Sequence, residues 1–352
     1  MIIGKGSYGT VTASGNQAVK TFSRLHHLIQ EYSALVYLSD CQYIVKVEGV
    51  DFTNLELQME LCHTNLRKWL DKRYQKDHNN QKKNLALIHD ILMGLIELHD
   101  RHLVHGDFKP SNILIKKKPL RAVLGDCGFV SVAKYVRVEN TSPLYMDPIL
   151  AKEATHDIFS FGVCFLELAA GILINKPHSY KELRSIVKLE ISERKYRRIA
   201  YSIFDAEKEK RPTAREIIHS LFSVTPDQWI SSDILDPHFR SSLPEEATTK
   251  IRHLMKDNAQ QHQMDRCYKG YGALLIHLEQ KKVDLSQYRI YVGVTLMIAS
   301  ALFGTTGFRM PQVIQVCEGN CDDEIILKIL AKLLSDFVFI HCLLAPPKEG
   351  RY

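Results

Sequence analysis

Along the first hundred residues the apolar positions change period several times. Residues 10–13 and 17–22 are short β-prone runs around Ser14, Gly15 and Asn16, a turn composition that predicts a hairpin. Residues 30–38 carry apolar side chains at helical spacing, and 44–50 and 55–62 return to strand-like runs. A helix is expected to begin at 65–70. Residues 72–84, rich in lysine and asparagine, read as a loop insertion, and 85–98, apolar every three or four positions, as a buried helix. After about residue 224 the pattern breaks. Pro226, Pro237 and Pro244 punctuate a polar connector over 225–262, and helical periodicity then resumes at 267–278, 288–303, 311–317 and 324–337. A strand-rich start, a helical middle and an all-helical end predict an α+β fold with an all-α C-terminal domain.

At 352 residues the chain is long for one hydrophobic core, and two domains are expected. The boundaries read as a first domain over 1–224, then the connector, then a helical domain over 263–345. The net charge of +6 is uneven, +7 over 1–224 and −1 over 225–352. A mildly basic first domain suits an anionic ligand such as a nucleotide. It lacks the long basic tract with interleaved aromatics of a nucleic-acid binder. Lys116 to Lys118, and Arg194 and Lys195 with Arg197 and Arg198, read as solvated faces. Eight cysteines have no repeated spacing, and no secretory pattern starts at Met1, so free thiols in a reducing intracellular compartment, cytoplasmic or nuclear, are expected. Cys317 and Cys321 have no second Cys/His pair at zinc-site spacing. The apolar run 290–303 is shorter than the roughly 20 residues of a membrane span, and it reads as a core helix with no membrane role.

The chemistry is concentrated in residues 105–114. They place Asp107, Lys109 and Asn112 in one short loop: a carboxylate to orient and deprotonate a hydroxyl, a cation near a transferring phosphate, and a metal-binding amide. Near the N-terminus, Gly4, Gly6 and Gly9 form a G-x-G-x-x-G, which dinucleotide-binding folds also carry. In those folds a helix starts inside the glycines; here a hairpin follows.

Residues 105–112 closely resemble the protein-kinase catalytic loop, H-R-D-x-K-x-x-N, with glycine at 106 in place of arginine. Other blocks follow in that family's order. Gly4, Gly6 and Gly9, flanked by Ile3 and Val11, resemble the phosphate-covering loop. Ala18 and Lys20 resemble the A-x-K strand, with Lys20 implied to hold the α- and β-phosphates and Glu31 to pair with it from a helix. Met59 resembles the residue gating the back pocket, Glu60 and Cys62 offer backbone groups to adenine, and Leu114 forms the floor beneath it. Asp107 is implied as catalytic base, Lys109 as the γ-phosphate contact, and Asn112 and Asp126 as Mg2+ ligands. Lysine two positions after the aspartate resembles serine/threonine rather than tyrosine kinases. Ser142 to Tyr145, Asp157 in its helix, and Arg211 to Thr213 resemble three later motifs. The resemblance implies a two-lobed protein-kinase-like fold, with an N-lobe over 1–62 and a C-lobe over 63–224, ATP and Mg2+ as cofactors, and transfer of the γ-phosphoryl group to a protein substrate.

Three departures stand out. Gly106 removes the arginine that would receive an activation-loop phosphate. Cys127 replaces a packing phenylalanine. Ile149 replaces the glutamate that usually pairs with the late arginine, leaving Arg211 without that partner and the lower lobe less secure. A non-catalytic pseudokinase scaffold is therefore the rival reading, and a small-molecule kinase, which shares the H-G-D variant, is a third. Residues 285–300 are similar to the central helix of a cyclin box, and 322–330 to a later helix of that unit. A kinase joined to a cyclin-like module resembles what large DNA viruses encode, and it implies that the helical domain docks in cis on the Glu31 helix.

Overall fold

The computed structural model describes residues 1–6, 8–74, 81–132, 142–148, 153–222, 242–259, 264–303, 308–319 and 321–344. The chain divides into two compact units. One comprises Met1–Ser39, Val47–Met59 and Ser231–Tyr352, the other Asp40–Lys46 and Glu60–Ile230.

The first unit opens with β1 (Ile2–Lys5), β2 (Gly9–Ser14), β3 (Gln17–Phe22), α1 (Leu25–Tyr37), β4 (Val47–Asp51) and β5 (Glu56–Glu60). The strands form a five-stranded sheet in the order β1-β2-β3-β5-β4. The expected hairpin is present, with Ser14 opposite Gln17 and Gly15 at φ +57°, the left-handed conformation that a tight turn needs. The C-terminal segment adds α8 (Glu245–Asp257), α9 (Met264–Lys281), α10 (Tyr288–Leu302), α11 (Met310–Val316), α12 (Asp323–Leu334) and α13 (Phe337–Leu344) to the same unit. Residues Ile290 to Leu302 of α10 are buried on every side, and α8, α9, α11, α12 and α1 all pack against this helix. A helix apolar all round belongs in the middle of a bundle.

The second unit contains β6 (Thr64–Asn65), α2 (Leu66–Tyr74), α3 (Gln81–His99), β7 (Leu103–Val104), β8 (Ile113–Lys117), β9 (Leu120–Leu124) and β10 (Ser131–Val132). The helices α4 (Ala154–Ala170), α5 (Tyr180–Glu190), α6 (Arg194–Ile203) and α7 (Ala214–Phe222) complete it. Helix α4 is its counterpart of α10, buried from His156 to Leu168. A Cβ on Gly162 would lie 2.4 Å from Ile203, so glycine lets α4 and α6 approach closely. Among the described residues, no helix is long and apolar enough to cross a membrane.

Several boundaries differ from the expectation. Residues 72–74 and 81–84 are helical, closing α2 and opening α3. Helix α8 falls inside the stretch expected as a connector, and the single helix expected over 324–337 is two, divided at Ser335 and Asp336.

Candidate active site

In the first unit, the β1–β2 turn is closed by Gly6 N–H donating to Gly9 O at 2.9 Å. A Cβ on Gly9 would sit 2.3 Å from Thr21 O, so that position admits only glycine. Gly4 lies beside Val11, and Ile3 and Val11 are half-buried on these strands. Val11 is in register with Lys20, and Ala18 and Met59 are buried in the same sheet. Lys20 Nζ lies 2.6 Å from Glu31 Oε2, and both residues are buried. A buried lysine and glutamate are stable only together, because each alone would carry an uncompensated charge.

In the second unit, Asp107 is the hub. Its Oδ2 accepts from Lys109 Nζ at 2.6 Å and from Asn112 Nδ2 at 3.1 Å, and Asn112 Nδ2 also donates to the Asp107 carbonyl at 2.8 Å. Its Oδ1 accepts from Ser142 N–H at 3.2 Å and Ser142 Oγ at 3.3 Å, while Lys109 Nζ donates to Ser142 Oγ at 2.8 Å. A serine hydroxyl is thus held by the same carboxylate and ammonium expected to handle an acceptor.

The loop backbone is fixed from beneath by Asp157, wholly buried on α4. Its two oxygens accept from His105 N–H at 2.7 Å and Gly106 N–H at 3.1 Å, and His99 Nε2 lies 3.0 Å away. Burial opposes ionisation of Asp157, but His99, with His105 and His156, overrides it and holds the carboxyl below its ordinary range. His105 Nε2 lies 3.1 Å from Gly125 O, and Gly125 N–H donates to Asn112 O at 2.8 Å. These contacts tie the Asp107 loop to Asp126, which sits half-buried at φ +55°. Aspartate tolerates that left-handed geometry better than most side chains, and such strain collects at functional sites. Leu114 is half-buried on β8, close enough that a Cβ on Gly125 would lie 2.8 Å from its Cδ1. The Glu60 carboxylate pairs with Lys116 at 2.6 Å and accepts from Lys46 N–H at 3.0 Å, so its side chain has a structural task that the sequence pattern does not assign. Cys62 is half-buried, and burial pushes its thiol up to about 11.

The structure therefore gathers Ile3, Gly4, Gly6, Gly9, Val11, Ala18, Lys20, Glu31 and Met59 in one unit, and Glu60, Cys62, Asp107, Lys109, Asn112, Leu114 and Asp126 in the other. His99 joins Asp157 and Ser142 joins Asp107, two contacts that no local spacing announces.

Arg211, expected to lack the usual glutamate, has a different carboxylate partner, Asp147. Arg211 Nη1 lies 2.5 Å from Asp147 Oδ2, both side chains are inaccessible, and Tyr180 OH and the Asp205 and Thr155 carbonyls complete the shell. Ile149 itself lies outside the described residues. Cys127 is fully buried.

Residues 1–238 match the family model described as the protein kinase domain, and the chain belongs to that family. Its sheet-bearing N-terminal part and helical middle are that fold, with further helices after residue 240. It is similar to a Wee1-like protein kinase of Oryza sativa subsp. japonica, 29% identical over 211 residues, 55% of this chain and 38% of that protein. It is also similar to the membrane-associated tyrosine- and threonine-specific cdc2-inhibitory kinase wee-1.1 of Caenorhabditis elegans, 28% identical over 61% of this chain and 51% of that protein. A third relative is the serine/threonine-protein kinase hippo of Drosophila melanogaster, 31% identical over 48% of this chain and 28% of that protein. The chain spans about half or less of the length of each.

Proposed function

We propose that the chain is an ATP- and Mg2+-dependent serine/threonine protein kinase, with Asp107 orienting the acceptor hydroxyl and Lys109 beside the transferring phosphate. The observation that carries this reading is Ser142 Oγ, an aliphatic hydroxyl within hydrogen-bond reach of both side chains. An aspartate placed so can accept the proton that the acceptor loses as its oxygen attacks phosphorus. Asp126 and Asn112 supply hard oxygen donors of the kind magnesium takes in small number beside phosphate oxygens. When bound, the metal neutralises charge developing on the phosphate. Lys20, held by Glu31, is the residue for the α- and β-phosphates. In the first unit Gly6 and Gly9 are assigned to the loop over the phosphates and Ile3, Val11, Ala18 and Met59 to apolar contact with adenine; in the second, Leu114 is assigned to apolar contact and Glu60 and Cys62 to backbone contact with the same base.

The C-terminal bundle, over about 263–345, is proposed to act in cis on this site, a cyclin-like role. Its packing against α1, which bears Glu31, supports that part.

The test is transfer of radiolabelled phosphate from ATP to generic protein substrates, wild type beside Asp107→Asn. Transfer to serine and threonine is expected, with the variant reduced about 100- to 10,000-fold. No transfer by the wild-type chain would favour the scaffold reading, and transfer mainly to tyrosine would overturn the residue specificity.

A further inference from the structure

Helix α1 is poorly equipped to stand alone. Its N-cap, Arg24, makes no side-chain cap, its first turn carries no acidic residue and its last turn no basic one. A helix of thirteen residues without such support is marginal in water. Its stability must come from packing, and the packing is two-sided. Leu28, Glu31 and Leu35 share one stripe at i, i+3 and i+7, and from it Glu31 reaches Lys20 on β3. Ile29, Ser33 and Tyr37, spaced four apart, lie around the other side and are equally buried. Helices α10, α12 and α13 all contact α1, and the second side meets α13 at its last turn. The Tyr37 ring, 3% exposed, meets His341 of α13, 7% exposed, with centroids 5.4 Å apart. The carboxylate that holds Lys20 therefore sits on a helix whose far face is completed by the C-terminal helices.

We infer that α13 is the strut that sets the Glu31–Lys20 pair, and that Tyr37 and His341 are positioning residues for phosphate binding. This rests on the proposed kinase activity and names the residues through which its in-cis control would run. Glu31 and Tyr37 belong to one short rigid element, so a lost ring contact at the last turn lets the helix tilt or fray. The 2.6 Å ion pair at its middle then lengthens. Neither ring needs to touch the nucleotide for this to matter. A misplacement of about 1 Å at a phosphate-binding group can cost about a hundredfold.

The experiment uses the full chain. His341→Ala is expected to lower kcat/KM for ATP about 10- to 100-fold and to speed amide exchange of residues 25–37, while His341→Phe, which keeps a ring, restores both. Val313→Ala removes two methyl groups where α11 packs on α10 at Gly293, and it should leave kcat/KM within about twofold. That contrast separates positioning from general loosening. Tyr37→Leu, which keeps bulk without an aromatic ring, reports on the same contact if His341→Ala does not fold. Unchanged kinetics and unchanged exchange over 25–37 in both variants would overturn the inference, as would an equal loss in Val313→Ala. The exchange measurement needs no activity. A wild-type chain that fails to transfer phosphate would therefore sink the kinase reading and leave the strut to be judged separately.

Discussion

The two groups of candidate site residues are held by different physics. In the second unit, the loop bearing Asp107 is anchored by the buried Phe108 ring and then fixed in detail by directed polar contacts: Asp157 to its backbone, and Asn112, Lys109 and Ser142 to the Asp107 carboxylate. In the first unit, Lys20 is paired with Glu31, and the helix that supplies this partner is positioned by apolar packing on two faces. Hydrogen bonds and buried charges specify one geometry and are costly to break singly. Packing is cumulative and gives way by degrees. The Asp107 loop is thus held by its own neighbourhood, whereas the geometry of the lysine–glutamate pair depends on how α1 is packed.

The contrast is most exposed to failure in the second unit. Arg211→Met leaves Asp147 buried without its cation, and the expected loss of stability is about 3–5 kcal/mol, read from urea unfolding. A loss below about 1 kcal/mol would mean that the unit does not depend on its buried charges. Gly106→Ala comes next. The residue sits at φ +78°, and an added Cβ would lie 3.0 Å from Phe129 O. About 1–3 kcal/mol of strain is expected, with a fall in turnover larger than any change in KM for ATP. Wild-type kinetics in that variant would show the loop to be softer than its hydrogen bonds imply.

The smallest effect is with pH, and it should appear in both units. Burial holds His156 in the second unit and His277 in the first below their ordinary range. Around His156, the carboxylates of Asp157, Asp147 and Asp107 pull the other way, and Arg211 adds to the depression. Around His277, Asp336 pulls upward while Lys332 and Lys281 add to the depression. A histidine whose folded pKa is depressed binds its proton more readily when unfolded. Its contribution is therefore present above about pH 6.5 and is lost as pH falls through the folded value. Thermal melting between about pH 7.5 and 5.5 should show a decline, and His277→Gln should flatten part of it. A flat profile would remove both histidines from the account.

Much of this is legible in the sequence, for particular reasons. The glycine turn, the β2–β3 hairpin and the spacing of Asp107, Lys109 and Asn112 are local patterns, and local patterns are read directly. Helix α8 is obscured because Pro226, Pro237 and Pro244 suggest a connector. Yet Pro244 followed by Glu245 and Glu246 is a helix-start signal in its own right. The break between α12 and α13 lies at Asp336, whose carboxylate accepts from Phe339 N–H at 3.3 Å and starts a new helix. The Arg211–Asp147 pair joins positions 64 residues apart, which no spacing rule reveals. Ile149 in place of a glutamate draws attention to a missing charge, while the aspartate two positions earlier supplies one. The contact of Tyr37 with His341 is longer-ranged still.

The route of the chain through the first unit carries a consequence for synthesis. Residues up to Ser39 belong to that unit, and the unit is completed only by the segment from Ser231 onward. On a ribosome adding about 5–20 residues per second, α1 waits on the order of tens of seconds for α10 and α13 to emerge. The second unit can close in the meantime, with its Asp107 loop already braced by Asp157. A chain interrupted before α13 would thus carry a finished Asp107 loop and an unfinished Lys20 site. On the proposed reading, translation of that helix marks the moment at which activity can begin, and fragments released early would remain silent.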